Sequence, residues 1–346
     1  MKHFNYRFLA LIFIIFASCG GPDALVINTV NRDGSVDRKI ILTWDKDEFN
    51  LEECQVPVDS TWSIGKVMEI SEKGDTTWTL TAEKHFDSVT EINLDYTSYG
   101  GPNSKMKRKT EFLKRFRWFN TTYYFEEKIE KAIDGYPASD FFTKEELHFF
   151  YMPQSMVEEL GSGSDSTMVD SILNIIEEKQ DAWLGASLVK AAIDEVEYFN
   201  QFEKTNPVDI ELIRSREKVF TEAISDFEGN ETEMIDSIMG EGYYEKYKTV
   251  FDTSLSVMED KFQVAVDADS YLVQCIMPGS LIATNGYIDS NSNILWNVDG
   301  ESFVSEDYIM WAESTLKNRW AYIVSILFVA FVATGFVIRK LKRRGY

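Results

Sequence analysis

Residues 320–338 read WAYIVSILFVAFVATGFVI, nineteen positions without a charge. At about 1.5 Å rise per residue a helix of this length covers roughly 28 Å, close to the hydrocarbon thickness of a bilayer. Inside lipid every backbone N–H and C=O must be satisfied within the segment, which a helix achieves. The stretch therefore predicts one membrane-spanning helix, and everything before it must fold around that fixed point. Arg339, Lys340, Lys342, Arg343 and Arg344 follow at once in the tail, residues 339–346. Such a basic cluster favours a cytoplasmic C-terminus, while Trp320 and Tyr322 suit the opposite interface. The bulk of the chain is then expected outside the cytoplasm.

At the other end, Lys2 and Arg7 precede an apolar run, residues 8–16, and the small residues Ala17 and Ser18. This is the pattern of a secretory signal, assigned to residues 1–18. Cys19, directly after the two small residues, resembles the lipobox cysteine of bacterial lipoproteins, with Phe16 where leucine is usual. The resemblance implies cleavage before Cys19 and a diacylglyceryl thioether on it, with acyl chains such as palmitate.

The whole chain carries −22. Setting aside two positive charges in the signal and five in the tail leaves −29 for residues 19–338. So acidic an ectodomain argues against nucleic acid as a partner and against flat adsorption on anionic lipid. After Cys19 only Cys54 and Cys275 remain. They can pair in an oxidising compartment, but Cys275 sits in an apolar strand-like run where a buried thiol is common.

Residues 20–142 read as β-rich. Two apolar, β-branched runs, 24–30 and 39–44, flank a turn with Asp33-Gly34, a hairpin signal. Further strands are expected at 63–70, 76–82 and 91–96. Residues 105–117 hold seven basic side chains and one acid. This basic island reads as a strand edge paired with the protein's own carboxylates, or else as a contact for lipid headgroups or an acidic partner. A strand is expected to follow it. Helical periodicity takes over in residues 143–262, opened by the capping box Thr143-Lys144-Glu145-Glu146. Asn206-Pro207 reads as the start of one helix there, and residues 242–262 as the last. Strand signals return in residues 263–303, including 263–266 and 270–277. Ser305, with Glu306 and Asp307, reads as the cap of a juxtamembrane helix over residues 304–319, continuous with the span.

Met277-Pro278-Gly279, Thr284-Asn285-Gly286, Trp296 and a short segment before the terminal span resemble the LppM-like family of anchored bacterial lipoproteins. The resemblance covers roughly the last 70 residues and the signal. It implies an extracytoplasmic α+β domain near the membrane, with lipid or glycolipid as a partner class. It brings no catalytic residues, and the long acidic helical block departs from it.

No nucleophile motif, P-loop or dinucleotide fingerprint is present, so no catalytic, cofactor or metal residue is assigned. Glu145 and His148 share a helix face at i, i+3, but no second such pair exists to complete a di-metal site. Asp289-Ser290-Asn291-Ser292-Asn293 opens like a calcium loop, yet Ile294 stands where the turn needs glycine. Adjacent acids abound (Glu52-Glu53, Glu126-Glu127, Glu158-Glu159, Glu177-Glu178) without forming a site. Within the span, Ala321/Ser325 and Ala330/Thr334 place small residues four apart, which permits helix association.

These readings combine into an α+β fold: an antiparallel sheet built from N- and C-terminal strands, a long helical insertion, and one C-terminal transmembrane helix. The expected setting is the bacterial inner membrane, ectodomain periplasmic or extracellular. The expected role is a binding or interaction module of the cell envelope, lipid-contacting in one version. The alternative is a carboxylate-dependent hydrolase of envelope glycans, which would need two facing carboxylates in a cleft.

Overall fold

The computed structural model describes residues 23–45, 54–70, 76–98, 102–162, 166–226 and 230–345. The signal, Cys19 and Glu52-Glu53 lie outside the described residues. The fold class is as read: N- and C-terminal strands combine, and the helices between them form an insertion.

The strands make two sheets. β1 (Asp23–Val30), β2 (Val36–Trp44), β3 (Ser63–Ile70), β4 (Thr76–Phe86), β7 (Tyr271–Ile276), β9 (Tyr287–Ile288) and β10 (Ile294–Val298) form the first, in the order β3-β4-β2-β1-β7-β10-β9. β5 (Arg108–Phe116), β6 (Asn120–Ile129), β8 (Ser280–Thr284) and β11 (Tyr308–Lys317) form the second, in the order β5-β6-β11-β8. Pairing is antiparallel throughout except between β1 and β7, where Leu25 faces Leu272 and Thr29 faces Ile276. This parallel pair is where the early and late halves of the chain meet.

The β1–β2 hairpin forms as the Asp33-Gly34 turn predicts. Ser35 donates to the Asp33 carboxylate from both its backbone N–H and its hydroxyl, at 3.1 and 2.8 Å. Gly34 has φ +102°, and a side chain there would also meet the Phe112 ring. Along β2, Val36, Arg38, Ile40, Leu42 and Trp44 are buried; along β6, Thr121, Tyr123, Phe125, Glu127 and Ile129 are. These inner faces meet, because Arg38 of the first sheet reaches Glu127 of the second.

The helical insertion holds α2 (Lys144–Phe150), α3 (Gln154–Gly161), α4 (Ser166–Asn200), α5 (Ile210–Ser215), α6 (Glu217–Asp226), α7 (Glu231–Met239), α8 (Tyr243–Lys246) and α9 (Lys248–Val266), following α1 (Val89–Ser98) in the β region. Thr143 and Glu146 form the expected reciprocal cap of α2. The 35-residue α4 packs on α9 and carries the buried Trp183, whose indole donates to the Tyr136 carbonyl at 2.9 Å. The last helix, α10 (Arg319–Arg343), is long and apolar enough to cross a membrane. Its apolar side chains are exposed (Phe331 77%, Ile326 68%), unlike those of a helix from a soluble core.

Several local expectations are corrected. Residues 91–96 are helical, within α1: Ile92 and Tyr96, four apart, are the buried pair. The Glu91 carboxylate also accepts from the Asp87 N–H at 2.8 Å at the start of that helix. Residues 263–266 continue α9, since Met258, Phe262 and Ala265 prolong its buried stripe. The helix expected at Asn206-Pro207 starts at Ile210, capped by Asp209 on the Leu212 N–H at 3.1 Å. The helix expected over 242–262 is split at Tyr247 into α8 and α9.

The largest correction concerns the juxtamembrane helix over 304–319, which is instead strand β11 with Tyr308, Met310, Ala312 and Ser314 buried at period two. Its supposed cap residues hold a different segment in place. Ser305 donates to the Tyr136 carbonyl at 2.6 Å, Glu306 accepts from the Ala138 N–H, and Asp307 accepts from the Lys131 N–H at 3.1 Å.

Candidate membrane interface

Strand β11 ends at Lys317 and α10 begins at Arg319, so one residue, Asn318, joins sheet to helix. Asn318 is tied to the tip of the β5–β6 hairpin on every side. Its N–H donates to the Phe119 carbonyl at 2.9 Å, and its side-chain amide donates to the carbonyls of Arg117 and Trp118 at 2.8 and 3.3 Å. Its side-chain oxygen accepts from the Thr121 hydroxyl at 3.1 Å. A flexible joint would leave these groups to water; here they are all used within the chain.

Aromatic rings extend the joint. Phe116 stacks on Trp320 with centroids 6.3 Å apart, Trp118 meets Trp320 edge-on at 5.2 Å, and Phe119 lies 4.9 Å from Tyr322. The Trp118 indole N–H donates to the Ser325 hydroxyl at 2.9 Å. Ser325 lies six residues into α10, roughly 9 Å along its axis, so the hairpin runs beside the helix rather than stopping at its start. Ala321 is fully buried at this contact. The small pair Ala321/Ser325, read as a surface for another helix, is thus engaged by the chain's own hairpin. In the second pair, the Thr334 hydroxyl donates to the Ala330 carbonyl at 2.9 Å.

The rings remain half exposed (Trp118 46%, Trp320 50%) although they touch one another, the condition of side chains with an apolar body and a wet edge. The β7–β8 turn sits at the same end. Ser314 donates to the Pro278 carbonyl at 2.8 Å, and Gly279, at φ +93°, lies against the Thr315 carbonyl so closely that no side chain would fit. Ile276, Leu281 and Ile282 around this turn are exposed.

The basic island divides in two. In its first half Lys105 approaches Asp260 at 3.8 Å, Lys109 pairs with Glu111 at 2.6 Å, and Arg108 turns inward to the Gln55 carbonyl at 2.8 Å. In its second half Lys114 donates to the Arg32 carbonyl at 2.8 Å. Arg115 and Arg117, like Lys317 and Arg319 beside them, are exposed and make no ion pair among the described residues.

The other sequence candidates are not brought together. His148 packs against Tyr287 at 4.9 Å, and no group of three or more His, Cys, Asp or Glu converges among the described residues. The calcium-like loop is a polar turn, its Asp289 carboxylate accepting from the N–H groups of Asn291 and Asn293 at 2.9 and 2.7 Å. Cys54 and Cys275 are buried thiols not bonded to each other, and burial pushes both thiols above their usual range.

Two features escaped sequence reading. Arg38 is enclosed between the sheets, donating to Asn28, Tyr96 and Glu127 at 2.7, 2.5 and 2.8 Å, while Tyr96 donates to the other Glu127 oxygen at 2.6 Å. Its signal was an arginine at an inward position between Val36 and Ile40. Asp299 and Glu301 are the second: burial raises both carboxyls, Glu301 to about 8 with help from Asp299. Asp299 already accepts from the Ser302 N–H and hydroxyl at 2.8 and 2.7 Å and from Asn297 at 2.7 Å. It shapes its loop, and no spacing in the sequence announced it. The helical layer also holds a small, partly open apolar cavity of about 60 Å³ bounded by Leu188, Ile193, Phe220, Met234 and Phe251.

No protein-family model matches the chain, and no curated protein matches it. Among solved structures, the NMR structure of the folded domain of Mycobacterium tuberculosis LppM aligns over 87% of this chain and 92% of that one, at 6% identity and a TM-score of 0.28. That similarity is too weak to assign a fold or a family.

Proposed function

We propose that this chain is a bacterial envelope protein anchored by α10 and by an acylated Cys19, whose ectodomain stands directly on the bilayer as a binding module. The observation that carries the reading is the joint at Asn318. A soluble domain tethered by a span usually has a linker, whereas here a strand enters the helix through one residue and a hairpin is packed along the first turns. The aromatic ring around Trp320 is what a membrane–water interface favours, and the basic tail supports a cytoplasmic C-terminus.

Fractionation tests the reading. Wild-type protein is expected to resist alkaline extraction from inner membranes and to carry a lipid mass on Cys19. Deleting residues 319–346 leaves it held by the acyl chains alone, and adding Cys19→Ala to that deletion releases it. Full release of the wild type by alkali, or an unmodified Cys19 in the mature protein, defeats the corresponding half.

A further inference from the structure

The second half of the basic island calls for a partner that the described chain does not supply. We propose that Arg115 and Arg117 on the β5–β6 hairpin, with Lys317 and Arg319 at the joint, form a binding surface for the anionic phospholipid headgroups of the leaflet the ectodomain rests on. This rests on the membrane-anchored reading above and adds to it a lipid class.

Placement is the first argument. Hydrogen bonds from Asn318 and from Trp118 to Ser325 fix the hairpin beside the opening turns of α10. With Trp320 and Tyr322 at the interface, the hairpin tip lies at headgroup depth. The surface is thus continuous with the anchor itself.

Charge is the second. In a domain carrying −29, Lys105 and Lys109 of the same segment find carboxylates. Arg115, Arg117, Lys317 and Arg319 do not, among the described residues. Strand alternation also turns Arg115 away from its neighbour Phe116, which stacks on Trp320, and Arg117 is exposed just past the strand end. The hairpin therefore presents apolar rings to the helix and guanidinium groups outward, where phosphate oxygens can accept their paired N–H donors. An acidic protein partner would have to share that position with the headgroups.

The acidic bulk is repelled by an anionic leaflet, but screening confines each charge to within about 8 Å at physiological salt. A local cationic foot can bind headgroups while the rest stays clear.

The test uses the full chain in nanodiscs of phosphatidylcholine mixed equally with phosphatidylglycerol. Native mass spectrometry after gentle delipidation counts the lipids retained. Wild-type protein is expected to keep phosphatidylglycerol over phosphatidylcholine, in a salt-sensitive manner. Arg115→Gln with Arg117→Gln should cut that preference roughly ten- to thirtyfold, from two lost headgroup contacts. Lys105→Gln with Lys109→Gln, in the internally paired half, should leave it unchanged. Melting temperatures of both variants confirm that they fold. Equal retention of the two lipids by wild type, or an unchanged preference in the arginine variant, overturns the proposal; the latter is also the result expected if the patch serves an acidic protein. Failure of wild type to enter nanodiscs at all defeats the anchored reading itself, and with it the proposal.

Discussion

Arg38 and Glu127 are 1% and 5% exposed at their side chains, so each is an ion kept from water by the other and by Tyr96 and Asn28. Such a pair contributes little net stability over an apolar substitute, but losing one partner strands the other. Arg38→Met or Glu127→Gln is expected to destabilise the domain by about 3–5 kcal/mol in urea unfolding, while the double variant costs less than the two singles summed. Glu301 gives a different signature. Its carboxyl, held up to about 8 by burial and by Asp299, keeps a proton in the folded state that the unfolded chain releases at ordinary carboxylate pH. Stability therefore falls as pH rises through that window. Glu301→Gln should remove this loss, so that between pH 5 and pH 9 the variant gains about 1–3 kcal/mol on wild type in pH-dependent thermal melts.

At the scale of elements, the hairpin-to-helix joint is the feature most open to perturbation. Asn318→Ala deletes three side-chain hydrogen bonds and leaves the Arg117 and Trp118 carbonyls facing the helix start. It is expected to cost about 1–3 kcal/mol and to speed amide exchange in residues 117–121 without changing exchange in α4. Elements with a single dominant pattern were legible in the sequence: the β1–β2 hairpin, the capped α2, and α10 with its uncharged run 320–338. Those misread depend on distant partners. In residues 304–319 the cap-like Ser305 serves distant backbone, at Tyr136, and residues 91–96, read as a strand, form a helix whose Asn93 likewise reaches the Thr110 backbone. Strand β11 is legible as a strand only once β6 and β8 are known to flank it. The candidate interface is half visible in the sequence: Trp320, Tyr322 and the basic island stand out, but their meeting depends on a turn whose partner Asn318 lies about 200 residues away.

For the whole molecule, the two sheets differ in when they can be finished. β11 is an inner strand of the second sheet, hydrogen-bonded to β6 over Tyr308–Lys317 and to β8 on its other side. A chain ended after Glu306 should therefore lack a cooperative unfolding transition, whereas one ended after Asn318 should keep it; circular dichroism melts distinguish them. The first sheet depends on β7 reaching β1 across an intervening 240 residues. In the exported, membrane-anchored protein proposed above, the leading hairpin of β1 and β2 would emerge with one side open and stay so until β7 is delivered. The closing strand of the other sheet, β11, would then arrive only with the greasy helix that follows it after one residue. On that reading, completion of the fold and arrest in the membrane would be a single late event.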